Sequence, residues 1–262
     1  MKQNSYPSLK TVIKVFRLLE VLGEDQSAKP SDLAERLKMP RSNIYRLLET
    51  LRGLGYVDRT SDSKYSLSFK VFMLGSTVID LKQLPPIARP YMARLAELAQ
   101  ENINLATMYE KRVLYIDKIE SRHYLKLDQP IGKTDPLHCT ALGKVLLSGF
   151  NEIELEVFLR TTNLSPFTKN TITNPDVLIG VIRNVRNQGF AYDLEELSEG
   201  INCIAASIRN HTNKIIAAVS ISGPTVRLKK QKIEDLRVPL IKTVADISKQ
   251  LGSTHIWSTN LD

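Results

Sequence analysis

Two cysteines, one tryptophan and four histidines in 262 residues leave little material for several kinds of chemistry. Cys139 and Cys203 stand far apart with no CxxC spacing, which argues against a disulfide framework and for reduced thiols. The histidines, His123, His138, His211 and His255, fall at irregular spacing, so neither a metal site nor another cofactor is expected. No run approaches the ~20 apolar residues that a membrane-crossing helix needs. The opening residues, MKQNSYPSLKTVIKVF, hold no uninterrupted apolar core and no small-residue cleavage site, so no signal peptide is expected and the location read is cytoplasmic. There is no internal repeat and no low-complexity tract. Acidic residues are also short, 28 against 36 basic ones, for a net charge of +8. The excess is concentrated early: residues 1–82 carry 14 Lys and Arg against 9 Asp and Glu. A polyanionic partner fits that balance.

What is present is a soluble composition, 42% hydrophobic and 24% charged, long enough for two domains with separate cores. The most informative stretch is PSDLAERLKMPRSNIYRLLETLRGLGYV, from Pro30 to Val57. It reads as two short amphipathic helices broken at Met39-Pro40. Before it, Ser8 is placed to cap a first helix whose Val12, Val15, Phe16, Leu19 and Leu22 recur at helical spacing, with Gly23 placed to end it. Ser31 is placed to cap the shorter helix. The next helix carries Ile44, Leu47, Leu48 and Leu51 on one face and Ser42, Tyr45, Arg46, Glu49 and Arg52 on the other. Gly53 and Gly55 end it. Two short strands, Tyr56–Arg59 and Tyr65–Leu67, flank a polar turn. Three helices followed by a hairpin make a winged helix-turn-helix.

In that motif the N-terminal end of the third helix meets base edges in the major groove. Arg41, Ser42, Asn43, Tyr45 and Arg46 cluster there. Arg can grip guanine, and Asn adenine, through paired hydrogen bonds, while Ser and Tyr hydroxyls suit phosphate oxygens. Ser31, at the start of the second helix, and Lys64, at the tip of the proposed wing, complete the candidate DNA-binding set. A polar face that merely meets water is the competing reading of any one of these side chains.

Phe69 to Leu81 reads as a linker helix through Val71, Phe72, Leu74, Val78 and Leu81. Pro85-Pro86 and Pro90 punctuate the chain, placing a boundary near residue 83. Three segments result: residues 1–68, a winged helix-turn-helix; 69–82, the linker helix; and 83–262, a second domain. Beyond the boundary come a helix through Met92, Leu95, Leu98 and Ala99, strands at Leu105–Tyr109 and Val113–Ile119, and helices at 140–147, 152–159 and 175–185. Strands at Cys203–Ile208 and Ile215–Ser222 and a closing helix at 230–251 follow. Helices and strands mix without a βαβ repeat, so this domain is expected to be α+β, a sheet flanked by helices.

Read as a whole, the chain resembles the IclR family of bacterial transcription regulators. The resemblance rests on MPRSNIYRLLETLRGLGYV and KYSLSFKVFMLG in the first part, and on PIGKTDPLHCTALGKVLL, GFAYDLEELSEGINCIAASI and IIAAVSISGPTVRL in the second. It implies an N-terminal winged helix-turn-helix, a linker helix that helps pair the DNA-binding domains, and a GAF/PAS-like effector-binding domain. It also implies a homodimer or a dimer of dimers, and repression of a carbon-source operon, of the sugar-acid type, until a small carboxylate metabolite binds. An activator of the same family is the alternative.

By the same resemblance the effector pocket falls on Ala141, Leu142, Asp193, Cys203, Ser220 and Ser222. The residues suit that role. Thr140 is a plausible N-cap that leaves the Ala141 and Leu142 N–H groups free at a partly positive helix end, able to hold a carboxylate without a cationic side chain. Ser220 and Ser222 share one face of a strand. Asp193 can accept a hydrogen bond from a ligand hydroxyl or cap the segment after it; Cys203 supplies a small soft wall or simply packs. Tyr124, Leu127 and Asp135 are candidates for the mouth, and Glu195, Glu196 and Glu199 read as a solvated acidic face. Gly143-Lys144 is not a phosphate loop, because His138 replaces the first glycine and Val145 follows the lysine. A Cys/His nucleophile is the remaining enzyme reading, but His138 and Cys139 are chain neighbours, and a nucleophile needs its base within hydrogen-bond reach. A DNA-binding architectural protein without a ligand switch would have no need of the second domain.

Overall fold

In the computed structural model, which describes residues 9–75 and 79–255, the first apolar spacing becomes α1 (Lys10–Asp25). Its packed stripe is Val15, Leu18, Leu19 and Leu22. Val12 and Phe16, expected inward, are 46% and 60% exposed, because at 3.6 residues per turn Phe16 lies roughly 160° around the helix from Leu18. Gly23 does not end α1; the turn is made by Gln26 at φ 58°. The expected cap Ser8 lies outside the described residues. Helix α2 (Pro30–Arg36) starts two residues earlier than expected, with proline at its first position, where its missing N–H costs nothing. Ser31 is therefore not its cap: the hydroxyl donates to Asp32 at 2.9 Å instead.

Lys38 turns the chain at φ 52°, and Pro40 precedes α3 (Arg41–Gly53). Ile44, Leu48 and Leu51 of α3 pack on Leu33, Val57 and Tyr65. Strands β1 (Val57–Arg59) and β2 (Tyr65–Leu67) form the antiparallel wing, Val57 opposite Leu67. Of the expected linker helix, α4 (Phe69–Gly75) is seen; residues 76–78, with Val78, lie outside the described residues.

The chain divides into two units, residues 1–82 and 83–262. Helix α5 (Ile79–Ala99) runs straight through Pro85, Pro86 and Pro90, which were expected to break the chain. Leu84, Ala88, Met92, Leu95 and Ala99 form a continuous buried stripe on it, and that burial outweighs the hydrogen bonds the prolines remove. Leu98, expected in the core, is 66% exposed.

The second unit is built on one antiparallel sheet of β3 (Asn102–Tyr109), β4 (Arg112–Ile119), β5 (Thr134–Pro136), β6 (Phe190–Leu194), β7 (Ile201–Arg209) and β8 (Ile215–Pro224). Their spatial order is β5-β4-β3-β8-β7-β6. The tight β3–β4 turn holds Glu110 and Lys111 at φ 47° and 60°, the left-handed pair that a two-residue hairpin needs. The edge strands β5 and β6 were not foreseen. One face of the sheet, with Ile204, Ala206, Val219 and Ile221, packs on α5 and α9 (Lys230–Gln250). The other, with Ala205 and Ala218, packs on α6 (Ala141–Leu147), α7 (Glu152–Thr161) and α8 (Pro175–Gln188). The architecture is α+β with an N-terminal winged helix-turn-helix.

Candidate functional site

On α3 the side chains opposite the core are open to solvent: Arg41, Ser42, Tyr45 and Arg46 are exposed and Asn43 is half-buried. Their charge is also uncommitted. Neither Arg41 nor Arg46 makes an ion pair among the described residues, whereas Arg36, Arg52 and Lys64 of this unit do. Arg36 is held by Glu24 and Asp25. Arg52 is held by Glu49 at 2.6 Å, and Glu49 also accepts from the Tyr65 hydroxyl at 2.9 Å. Lys64, on the wing, pairs with Asp62 at 2.8 Å. The lysine and the Thr60 hydroxyl draw the Asp62 carboxyl down to about 2. The free positive charge on α3 thus sits at the N-terminal end of the helix, the end that this motif presents to base edges.

In the second unit a cavity of about 410 Å³ opens beside the start of α6. Thr140 caps that helix: its hydroxyl accepts from Gly143 N at 3.0 Å and donates to Pro136 O at 2.9 Å. The Ala141 and Leu142 N–H groups have no intrahelical acceptor in the first turn, and both residues line the cavity. The tight approach requires Gly143, since a Cβ there would lie 2.2 Å from Leu137 O.

The floor is a row across adjacent strands. Asp193 on β6 stands opposite Cys203 on β7, and Cys203 opposite Ser222 on β8. Ser220 lies two residues back on the same face. Both hydroxyls accept from Asn104 Nδ2, at 3.3 Å for Ser220 and 3.0 Å for Ser222, while Asn104 Oδ1 is buried without a partner. The sequence-predicted set of Ala141, Leu142, Asp193, Cys203, Ser220 and Ser222 is therefore gathered in one cavity.

Asp193 both caps and lines: its Oδ1 accepts from Glu196 N at 2.7 Å and Leu197 N at 3.4 Å. Burial lifts its carboxyl to about 7, against the pull of those N–H groups and of Lys144. Lys144 itself is 2% exposed and donates to Tyr192 O at 2.7 Å and to the Glu196 carboxylate. Glu196 is thus not part of a solvated acidic face; it is the buried partner of Lys144, and its burial raises its carboxyl. Further round the wall, Tyr115 donates to Asp135 Oδ2 at 3.0 Å. Lys133 approaches Asp135 to 3.4 Å. Lys126 and Lys133 both line the cavity; the sequence reading did not name them. Leu127 and Asp135 line it as expected; Tyr124 does not, and points fully into solvent.

The thiols are unsuited to nucleophilic work. Burial pushes Cys139 up to about 12 and Cys203 well above its ordinary value. His138 Nε2 meets Ser165 O at 3.1 Å, and its Nδ1 is buried without a partner. Among the described residues no group of three His, Cys, Asp or Glu is disposed to hold a metal, and no helix is long and apolar enough to cross a membrane.

A winged helix with a free cationic reading face, carried on the same chain as a domain with a polar cavity, defines a DNA-binding transcription regulator. Residues 11–61 match the IclR helix-turn-helix domain and residues 76–249 the C-terminal domain of bacterial IclR transcriptional regulators. The chain belongs to the IclR family. It is 36% identical over 246 residues to the HTH-type transcriptional regulator KdgR of Escherichia coli, covering 94% of each chain. With the HTH-type transcriptional repressor AllR of the same species the identity is 31% over 251 residues, or 95% of this chain and 92% of AllR. The crystal structure of Thermotoga maritima IclR superposes with a TM-score of 0.79 at 31% identity, covering 94% of this chain and all of that one. These relatives are regulators rather than enzymes, and this chain is one too.

Proposed function

We propose that this regulator represses a carbon-source operon of the sugar-acid type and is released when a small carboxylate enters the cavity of its second unit. The observation that carries the reading is the convergence of Ser220, Ser222 and the first turn of α6. Two hydroxyls and two N–H groups without intrahelical partners offer donors to an anion, while Asp193, on the same strand row, offers an acceptor for a ligand hydroxyl. Cys203 between them keeps the floor small. Residues 83–262 would then form the effector-binding and oligomerisation domain, residues 1–68 the DNA-binding domain and residues 69–82 the linker.

In this reading Arg41, Asn43 and Arg46 read base edges, while Ser31, Ser42, Tyr45 and Lys64 set register on the phosphate backbone. A homodimer, or a dimer of dimers, places two copies of α3 in successive major grooves of a pseudo-palindromic operator. The effector binds the DNA-competent and incompetent states with different affinity. A coupling of ~1–3 kcal/mol changes operator affinity roughly 5- to 150-fold. A thermal-shift screen of sugar acids and keto acids tests this directly, since a ligand of the native fold raises its melting point. The expected hit loses its shift in Ser222→Ala and Asp193→Ala while both variants still bind the operator. A screen in which no carboxylate moves the melting point, or a hit indifferent to both substitutions, refutes the assignment.

A further inference from the structure

The chain between β4 and β5 has no regular secondary structure, yet Lys126, Leu127, Asp128 and Gln129 wall the cavity. A segment without its own backbone ladder must be held by something else. Two polar side chains do so, the buried Asn102 and the half-buried Arg227. Asn102 of β3 donates through Nδ2 to Leu127 O at 2.7 Å and accepts Ser121 N on Oδ1 at 2.7 Å, gripping the segment at two points. Arg227, just past β8, donates through Nη2 to Leu125 O at 2.8 Å. The same guanidinium is locked by Glu101, with Nε and Nη2 each 2.8 Å from a carboxylate oxygen. Glu101 is 1% exposed and sits against Gly223, where a Cβ would fall 2.6 Å from its Oε2. The ion pair is thus built into the place where β8 leaves Ser220 and Ser222.

We propose that Asn102 and the Glu101–Arg227 pair form a latch that holds residues 121–129 as a lid across the cavity, so that entry and exit of a ligand require the latch to open. Asn102 stands opposite Ser222 in the β3–β8 register. The lid is therefore fastened to the same strand pair that supplies the cavity hydroxyls. Arg227 and Asn102 are positioning residues: they act through the lid. The proposal rests on the cavity being a ligand site, but its test is made without ligand, so the two can fail separately.

The cavity carries its own reporter, because Cys203 lies in its wall while the other thiol, Cys139, is buried outside it. The full chain is treated with iodoacetamide, and alkylation at each cysteine is followed by peptide mass spectrometry. In Arg227→Met and in Asn102→Ala, Cys203 is expected to react about tenfold faster than in the unsubstituted protein, the change that loss of ~1.4 kcal/mol from the closed state produces. Cys139 is expected to keep its slow rate. Arg227→Lys keeps the charge but not the forked geometry, and should fall between. Unchanged Cys203 reactivity in both variants overturns the latch. So does equal acceleration of Cys203 and Cys139, which marks general loosening rather than an opening lid.

Discussion

Replacing Asp193 with asparagine should stabilise the protein at alkaline pH, and the size of the gain follows from its surroundings. The carboxyl is 3% exposed and burial raises it from 3.8 to about 7. Its structural duty is to accept from Glu196 N and Leu197 N, and an asparagine Oδ1 accepts equally well. The substitution therefore keeps the cap and removes only the buried charge. A folded-state value above the unfolded one means that the native state binds the proton more tightly. The associated stability is fully present below about pH 4 and is lost as the pH rises through 7. At 1.36 kcal/mol per tenfold, that rise is worth up to about 4 kcal/mol. Urea denaturation of both proteins at a series of pH values reads it out. The two should have similar stability at pH 4, diverge between 4 and 7, and differ by a constant amount above 8 in favour of asparagine. A variant equally or less stable at pH 8 would show that the charge is compensated in place, and would refute the reasoning.

Other substitutions probe the same region. Lys144→Met strands the Glu196 carboxylate in the interior and should cost ~3–5 kcal/mol in a urea melt. Adding Glu196→Leu should restore most of that loss, because no unpaired charge then remains. Gly143→Ala drives a methyl group into the Leu137 carbonyl. Backbone yields less than a side chain does, so the loss should reach or exceed about 3 kcal/mol, seen as a lower melting point of the second unit.

The winged helix-turn-helix was legible because several local signals agree: the Met39-Pro40 break, the apolar face of α3 and the polar turn between β1 and β2 each point to the same motif. The strand positions of Cys203, Ser220 and Ser222 were legible too, since β-branched runs fix which residues share a face. Helix α5 was not. Three prolines read locally as a break, and only the burial of Ala88, Met92 and Ala99 against the sheet reverses that reading. The Lys144–Glu196 pair was hidden for a related reason. A lone lysine in ALGKVLL was the available signal, since every other position of that helix is apolar or glycine, but nothing local says which of Glu195, Glu196 and Glu199 turns inward. The edge strand β5 is only three residues long, and its partner β4 lies about twenty residues earlier in the chain. Lys126 and Lys133 reach the cavity from a segment with no periodicity to read.

The central claim is that the free end of α3 reads DNA. Footprinting on the promoter region of the protein's own gene, with the full chain and with Arg46→Ala, tests it most directly. The account predicts a protected pseudo-palindrome with the unsubstituted protein, and a loss of about 1–3 kcal/mol in affinity for it with the variant. Identical protection by both proteins would contradict it.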